Sequence, residues 1–214
     1  MINYLFSGID KENGFNELQT NLLKKDILSN QKITFIASIF DNYERNDKQH
    51  ITYLNIFKKI GITFKEHNLI DSRTNPNEAK RILQESDIIF LLGGSPELQM
   101  KYIKEYKIEE EIKNCNIVMG VSAGSMNQSK RVIYKDDFEN YIKKDYEGLN
   151  LVDINIFPHY TKEDKLLVEE ANEISNEIPL LLLPNDSFIK IKNGDVNIYG
   201  PAYNQYKGKI KKLQ

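Results

Sequence analysis

The chain has little of several things, and each shortage excludes something. There is one cysteine, Cys115, among 214 residues, so no internal disulfide can form and a reducing compartment is expected. Cys115 lies just before an apolar run and is expected to be a buried, inert thiol. No apolar run approaches the ~20 residues of a membrane span. The first residues, Met1-Ile2-Asn3-Tyr4-Leu5-Phe6, carry no basic stretch of the kind that opens a signal peptide. The expectation is a soluble, cytoplasmic protein with no membrane partner. Neither sign of charge dominates: 29 basic and 31 acidic residues leave a formal net charge of −2. A nucleic-acid partner is therefore not suggested. The basic stretch Lys207-Gly208-Lys209-Ile210-Lys211-Lys212 reads as a solvated tail. Repeats, low-complexity segments and linkers are absent, and one domain over residues 1–214 is expected.

What is present is an alternation of short apolar runs with amphipathic stretches. Strands are expected at residues 1–6, 33–38, 62–67, 88–92 and 117–119, and helices at 16–28, 49–60, 76–85 and 96–111. Asn75-Pro76 has the form of an N-cap followed by proline at the first helical position. This order predicts βαβ units and a parallel sheet covered on both faces. Residues 132–148 are highly charged and read as a loop or irregular helix, 151–157 as a strand, and 162–176 as a helix. Short strands follow at 180–183, 188–192 and 196–199, with Asn193-Gly194 as a hairpin turn.

The densest chemical signal is Gly120-Val121-Ser122-Ala123-Gly124, placed between the apolar run Asn116-Ile117-Val118-Met119 and a helix start. Gly-x-Ser-x-Gly between strand and helix is the pattern of a nucleophile elbow. Side chains at the flanking glycines would clash in so tight a turn. An ordinary turn of small residues has the same composition, so the motif needs partners.

A serine nucleophile needs a base, and histidine is the usual one. The chain has three histidines. His50 and His67 lie in polar surroundings and read as solvated surface residues. His159 follows Ile156-Phe157-Pro158 at the end of a strand, the edge at which ligands gather in open α/β sheets. A third group should orient the imidazole. Asp136, Asp137, Glu139, Asp145, Glu147 and Asp153 lie between Ser122 and His159, and spacing does not choose among them. Upstream, Leu91-Leu92-Gly93-Gly94 ends a buried strand, and its amides are candidates for half of an oxyanion hole. Scattered histidines give no metal-ligand spacing.

The stretches Leu91 to Leu98, Gly120 to Met126 and Phe157-Pro158-His159-Tyr160, in that order, resemble the S51 serine peptidases, the dipeptidase E and cyanophycinase group. The segment from Tyr146 to Asp153 also looks like that family's approach to its histidine strand. The resemblance implies a three-layer αβα sandwich with a mainly parallel sheet, related to class I glutamine amidotransferases (flavodoxin-like). It implies Ser122 as nucleophile, His159 as base, Asp137 as the acid with Glu139 the alternative, and Gly94 and Ala123 as oxyanion donors. It also implies hydrolysis of a small peptide substrate with no cofactor and no metal, and allows a homodimer. Serine at the elbow disfavours the glutaminase chemistry of the related amidotransferases. A serine amidase or esterase for a non-peptide substrate, or a binding module without turnover, is compatible with the same elbow. For an aspartate-preferring site, Lys130 and Arg131 are the nearby cations, although both read as solvated.

Overall fold

The computed structural model describes residues 1–136 and 142–213. Five parallel strands form, β1 (Ile2–Phe6), β2 (Lys32–Ile36), β3 (Glu66–Ile70), β4 (Ile88–Leu91) and β5 (Ile117–Val121), in the spatial order β1-β5-β4-β2-β3. Beyond β1 the sheet continues with an antiparallel hairpin, β10 (Phe188–Lys192) and β11 (Asp195–Tyr199), which turns at Asn193-Gly194 as the sequence predicts.

Side chains alternate across the sheet. Ile88 and Phe90 enter the core on one face, whereas Ile89 and Leu91 enter it on the other. On the first face, α1 (Glu17–Asp26) and α2 (Tyr43–Lys59) contribute Leu23, Tyr53, Ile56 and Phe57. The second face is covered by α3 (Pro76–Gln84), α4 (Pro96–Tyr106) and α5 (Glu109–Lys113), through Ala79, Leu83, Met100, Ile103 and Ile112. Handedness explains the partition. The steps from β1 to β2 and β2 to β3 run one way along the sheet, and those from β3 to β4 and β4 to β5 run back. Right-handed crossovers then place the two helix sets on opposite faces. The result is the expected three-layer αβα sandwich. The direction reverses between β2 and β4, which opens a crevice above the C-terminal strand ends there.

Several elements depart from the sequence pattern. The strand expected at 62–67 is found at Glu66–Ile70, because Ile62 and Phe64 pack into the helix-side core as a lead-in. Helix α2 begins at Tyr43 rather than 49; the Asn42 side chain accepts from the Arg45 N–H at 3.3 Å. A left-handed Lys107 ends α4 early and separates α5. Residues expected as a loop or irregular helix contain two antiparallel strands, β6 (Arg131–Asp136) and β7 (Ile142–Glu147). Val132, Ile133 and Tyr134 are buried there, so β-branched and aromatic packing outweighs the charge of the segment. Of the strand expected at 151–157, only β8 (Ile156–Phe157) forms. It pairs with β9 (Leu180–Leu182) in a second sheet. The supposed basic tail closes that sheet as a hairpin, β12 (Tyr203–Tyr206) and β13 (Lys209–Lys212), turning at Lys207-Gly208. The short α6 (Ala123–Met126) follows β5, and α7 (Lys165–Ile174) packs against β6 and β9. No helix among the described residues is long and apolar enough to cross a membrane.

Candidate active site

Ser122 sits between β5 and α6 with φ 52° and ψ −114°, a conformation costly for any residue with a side chain. Its N–H donates to the Phe6 carbonyl at 2.9 Å, and its own carbonyl accepts from Ser125 and Met126 N–H at 2.9 and 3.0 Å. The elbow is locked by close approach. A Cβ on Gly120 would lie 2.4 Å from the Gly124 carbonyl oxygen, and one on Gly124 would lie 2.1 Å from that of Leu91. Both glycines are therefore steric requirements, as the motif implied.

His159 lies just past β8 with φ 60°. Its N–H donates to Ser7 Oγ at 2.8 Å, and that buried hydroxyl donates to the Leu183 carbonyl at 2.7 Å. These bonds tie the turn to the ends of β1 and β9. The ring reaches two partners: Nε2 is 2.7 Å from Ser122 Oγ and Nδ1 is 2.5 Å from Asn185 Oδ1. With an amide oxygen at Nδ1, the proton resides there and Nε2 accepts from the serine hydroxyl.

Among the described residues, the group that meets His159 Nδ1 is Asn185, which lies outside the stretch searched for an acid. Asp137 and Glu139 lie outside the described residues. Asp145 is engaged by Arg131 at 2.6 Å, and neither it nor Glu147 nor Asp153 lines a cavity at Ser122. Asp136 lines the smaller cavity there and accepts from the Tyr134 hydroxyl at 3.3 Å. The signal for Asn185 was its place a few residues beyond the end of β9, much as His159 lies just past β8.

Gly94 has φ 145°, and a Cβ there would fall 2.2 Å from Ser38 Oγ. The preceding carbonyl, Gly93 O, accepts from Ser38 Oγ at 2.7 Å, Arg45 Nη2 at 2.8 Å and Gln49 Nε2 at 3.4 Å. In a planar trans peptide the Gly94 N–H then points to the opposite side. Neither it nor the Ala123 N–H donates to another group among the described residues.

Two cavities flank the Ser122–His159 pair. One, of about 630 Å³, reaches toward Arg45, Tyr53 and Asn185. The other, of about 380 Å³, reaches toward Tyr134, Phe157 and Leu167. Desolvation pushes the Tyr53 hydroxyl up to about 12. The remaining candidates fall elsewhere. Arg131 pairs with Asp145 and Glu177, and neither it nor Lys130 lines these cavities. Burial pushes the Cys115 thiol up to about 11, which keeps it protonated and inert, as expected. His50 is not a solvated residue: it is half-buried, its ring lies 5.0 Å from that of Phe35, and desolvation pulls it down to about 4.

A strained serine hydrogen-bonded to a histidine above the strand ends of an αβα sandwich defines a serine hydrolase. The sequence model of peptidase family S51 matches residues 4–199, and the chain belongs to that family of serine peptidases. It is 23% identical over 187 residues to Peptidase E of a Nostoc species, covering 79% of this chain and 73% of that protein. An uncharacterised peptidase of Listeria monocytogenes is 22% identical over 192 residues, 85% of this chain and 89% of its own. Among solved structures, a putative peptidase E protein from Listeria monocytogenes superposes with a TM-score of 0.69 at 21% identity, covering 92% of this chain and 97% of that one. A peptidase from an acI-B1 Actinobacterium superposes with a TM-score of 0.72 at 13% identity, covering 99% and 93%. These likenesses agree on the fold.

Proposed function

We propose that the protein hydrolyses short peptides through Ser122, His159 and Asn185. The observation that carries this reading is the 2.7 Å contact between His159 Nε2 and Ser122 Oγ, made by two residues raised on positive-φ turns at adjoining strand ends. Ser122 attacks the peptide carbonyl as its proton passes to His159. The Gly94 and Ala123 amides hold the oxyanion. Losing one such donor costs about 3 kcal/mol of barrier. His159 then protonates the leaving amine, and water, activated by the same imidazole, releases the acyl group from Ser122. Asn185 accepts the Nδ1 proton and keeps the ring in the productive tautomer. It is neutral, so it orients the imidazole without the charge that a carboxylate would offer the imidazolium.

The smaller readings go with it. The enzyme works in the cytoplasm, where the buried Cys115 stays reduced, and it acts on a small peptide without a nucleic-acid or membrane partner. A homodimer is what the family resemblance implies.

The test is hydrolysis of a dipeptide library, together with labelling by a serine-directed phosphonate. The wild type cleaves library members and takes the label at Ser122. Ser122→Ala loses both while its melting temperature is nearly unchanged. Turnover retained in Ser122→Ala refutes the assignment. Labelling without peptide cleavage favours a serine amidase or esterase, and neither label nor cleavage favours a binding module.

A further inference from the structure

We propose that Arg45 binds a carboxylate of the peptide substrate within one residue of the bond that Ser122 attacks; this rests on the peptidase reading above. Arg45 stands on the first turn of α2, above the crevice between β2 and β4. It lines the 630 Å³ cavity that also exposes Ser122, His159 and Gly94, a volume suited to a small ligand. Nη1 donates to Ser38 Oγ at 3.0 Å and Nη2 to Gly93 O at 2.8 Å. A guanidinium has five N–H donors, so most of its capacity is unused.

Its charge is unanswered. Arg73 pairs with Asp47 and Asp71, Arg81 with Glu85, and Arg131 with Asp145 and Glu177. Arg45 pairs with no carboxylate among the described residues. Desolvation pulls its proton affinity down, opposed only by the Tyr53 hydroxyl. Two acids line the same cavity. Asp10 is committed to its own turn, accepting from the Glu12 and Asn13 N–H groups and from Asn13 Nδ2 at 2.8–2.9 Å. Asp186 is exposed beside Asn185. A half-buried cation held by two neutral acceptors, with its other N–H donors uncommitted among the described residues and a ligand-sized cavity beside it, suits a carboxylate. Arg45 also holds the carbonyl of the Gly93–Gly94 peptide at 2.8 Å, and the N–H of that peptide is the proposed oxyanion donor.

That carboxylate is either the C-terminus of the leaving residue or an acidic side chain, and the test separates them. Binding is measured by calorimetry in the inactive Ser122→Ala protein, so it does not depend on turnover. One ligand pair is a dipeptide and its C-terminal amide. The other is an Asp-Xaa dipeptide and its Asn-Xaa counterpart. Charge-assisted recognition makes the acid of one pair bind roughly tenfold to hundredfold tighter than its neutral partner. Adding Arg45→Met collapses that preference to about one, and Arg45→Lys retains part of it because the charge remains. The pair that shows the preference identifies the carboxylate. Arg45 also supports Gly93, so Arg45→Met lowers turnover of every substrate; the ratio within a pair is unaffected by that loss. A preference that survives in Arg45→Met, or its absence from both pairs in the parent, overturns the proposal. Failure of Ser122 to take the phosphonate label would instead count against the hydrolase reading and leave the binding ratios to be read on their own.

Discussion

Asn185 accepts from His159 Nδ1, a role usually filled by a carboxylate in serine triads. A neutral amide fixes the tautomer but does not favour the imidazolium. Replacing Asn185 by Asp places a negative charge 2.5 Å from Nδ1, which favours the protonated ring. Neutral His159 is the form that accepts the serine proton, so the acid limb of the kcat/KM profile moves to higher pH in Asn185→Asp while the enzyme remains active. A profile superimposable on that of the wild type would show that Asn185 does not contact the working imidazole. His159→Ala removes the base itself and lowers kcat by roughly 10²–10⁴-fold, measured by single-turnover kinetics on any cleaved dipeptide.

At the scale of elements, the elbow is a collision avoided. β5 and α6 approach β4 so closely that a Cβ on Gly124 would overlap the Leu91 carbonyl at 2.1 Å. The neighbour is sheet backbone and cannot move aside cheaply. Gly124→Ala is expected to destabilise the protein by at least the ~1–3 kcal/mol typical of overpacking and to displace Ser122. A lowered melting temperature together with lost phosphonate labelling is the signature to look for. Helix α2 offers a milder test. Its Asn42 cap holds the first turn, which carries Arg45. Asn42→Ala should cost about 1 kcal/mol, readable by urea denaturation.

For the whole molecule, the titration of His50 couples stability to pH. The ring is wedged between Phe35 on β2 and His67 on β3, with Asp47 and Arg73 nearby, and its Nε2 has no hydrogen-bond partner among the described residues. Desolvation first, then the positive neighbours, pulls it down to about 4, against 6.5 in an unfolded chain. Between these values the unfolded chain binds more protons, so stability rises with pH across that window. The contribution is complete above about pH 6.5 and is lost as pH falls toward 4. Unfolding free energies at pH 7 and pH 5 should differ less in His50→Leu than in the wild type. An equal difference in both proteins would assign the acid sensitivity to other groups.

Short-range sterics and periodicity were readable directly. Glycines two residues either side of Ser122 report a turn that only they can make, and apolar runs between amphipathic stretches report a covered parallel sheet. Charge misled where packing governed: residues 131–136 are strand because Val132, Ile133 and Tyr134 are buried, whatever the lysines around them. The partners of the site lie far apart in the chain. Ser122 and His159 are separated by 37 positions, His159 and Asn185 by 26, and Arg45 and Gly93 by 48. No local pattern encodes these meetings. They follow from the order β1-β5-β4-β2-β3 and from β8 pairing with β9, which bring distant strand ends to one edge. The sequence by itself determined the elbow, the serine at its tip and the sandwich, because those rest on interactions within a few residues. Only the tertiary structure decided that an asparagine stands behind His159 and that Arg45, which pairs with no carboxylate among the described residues, lines the same cavity as Ser122, because those depend on which strand ends the two sheets bring together.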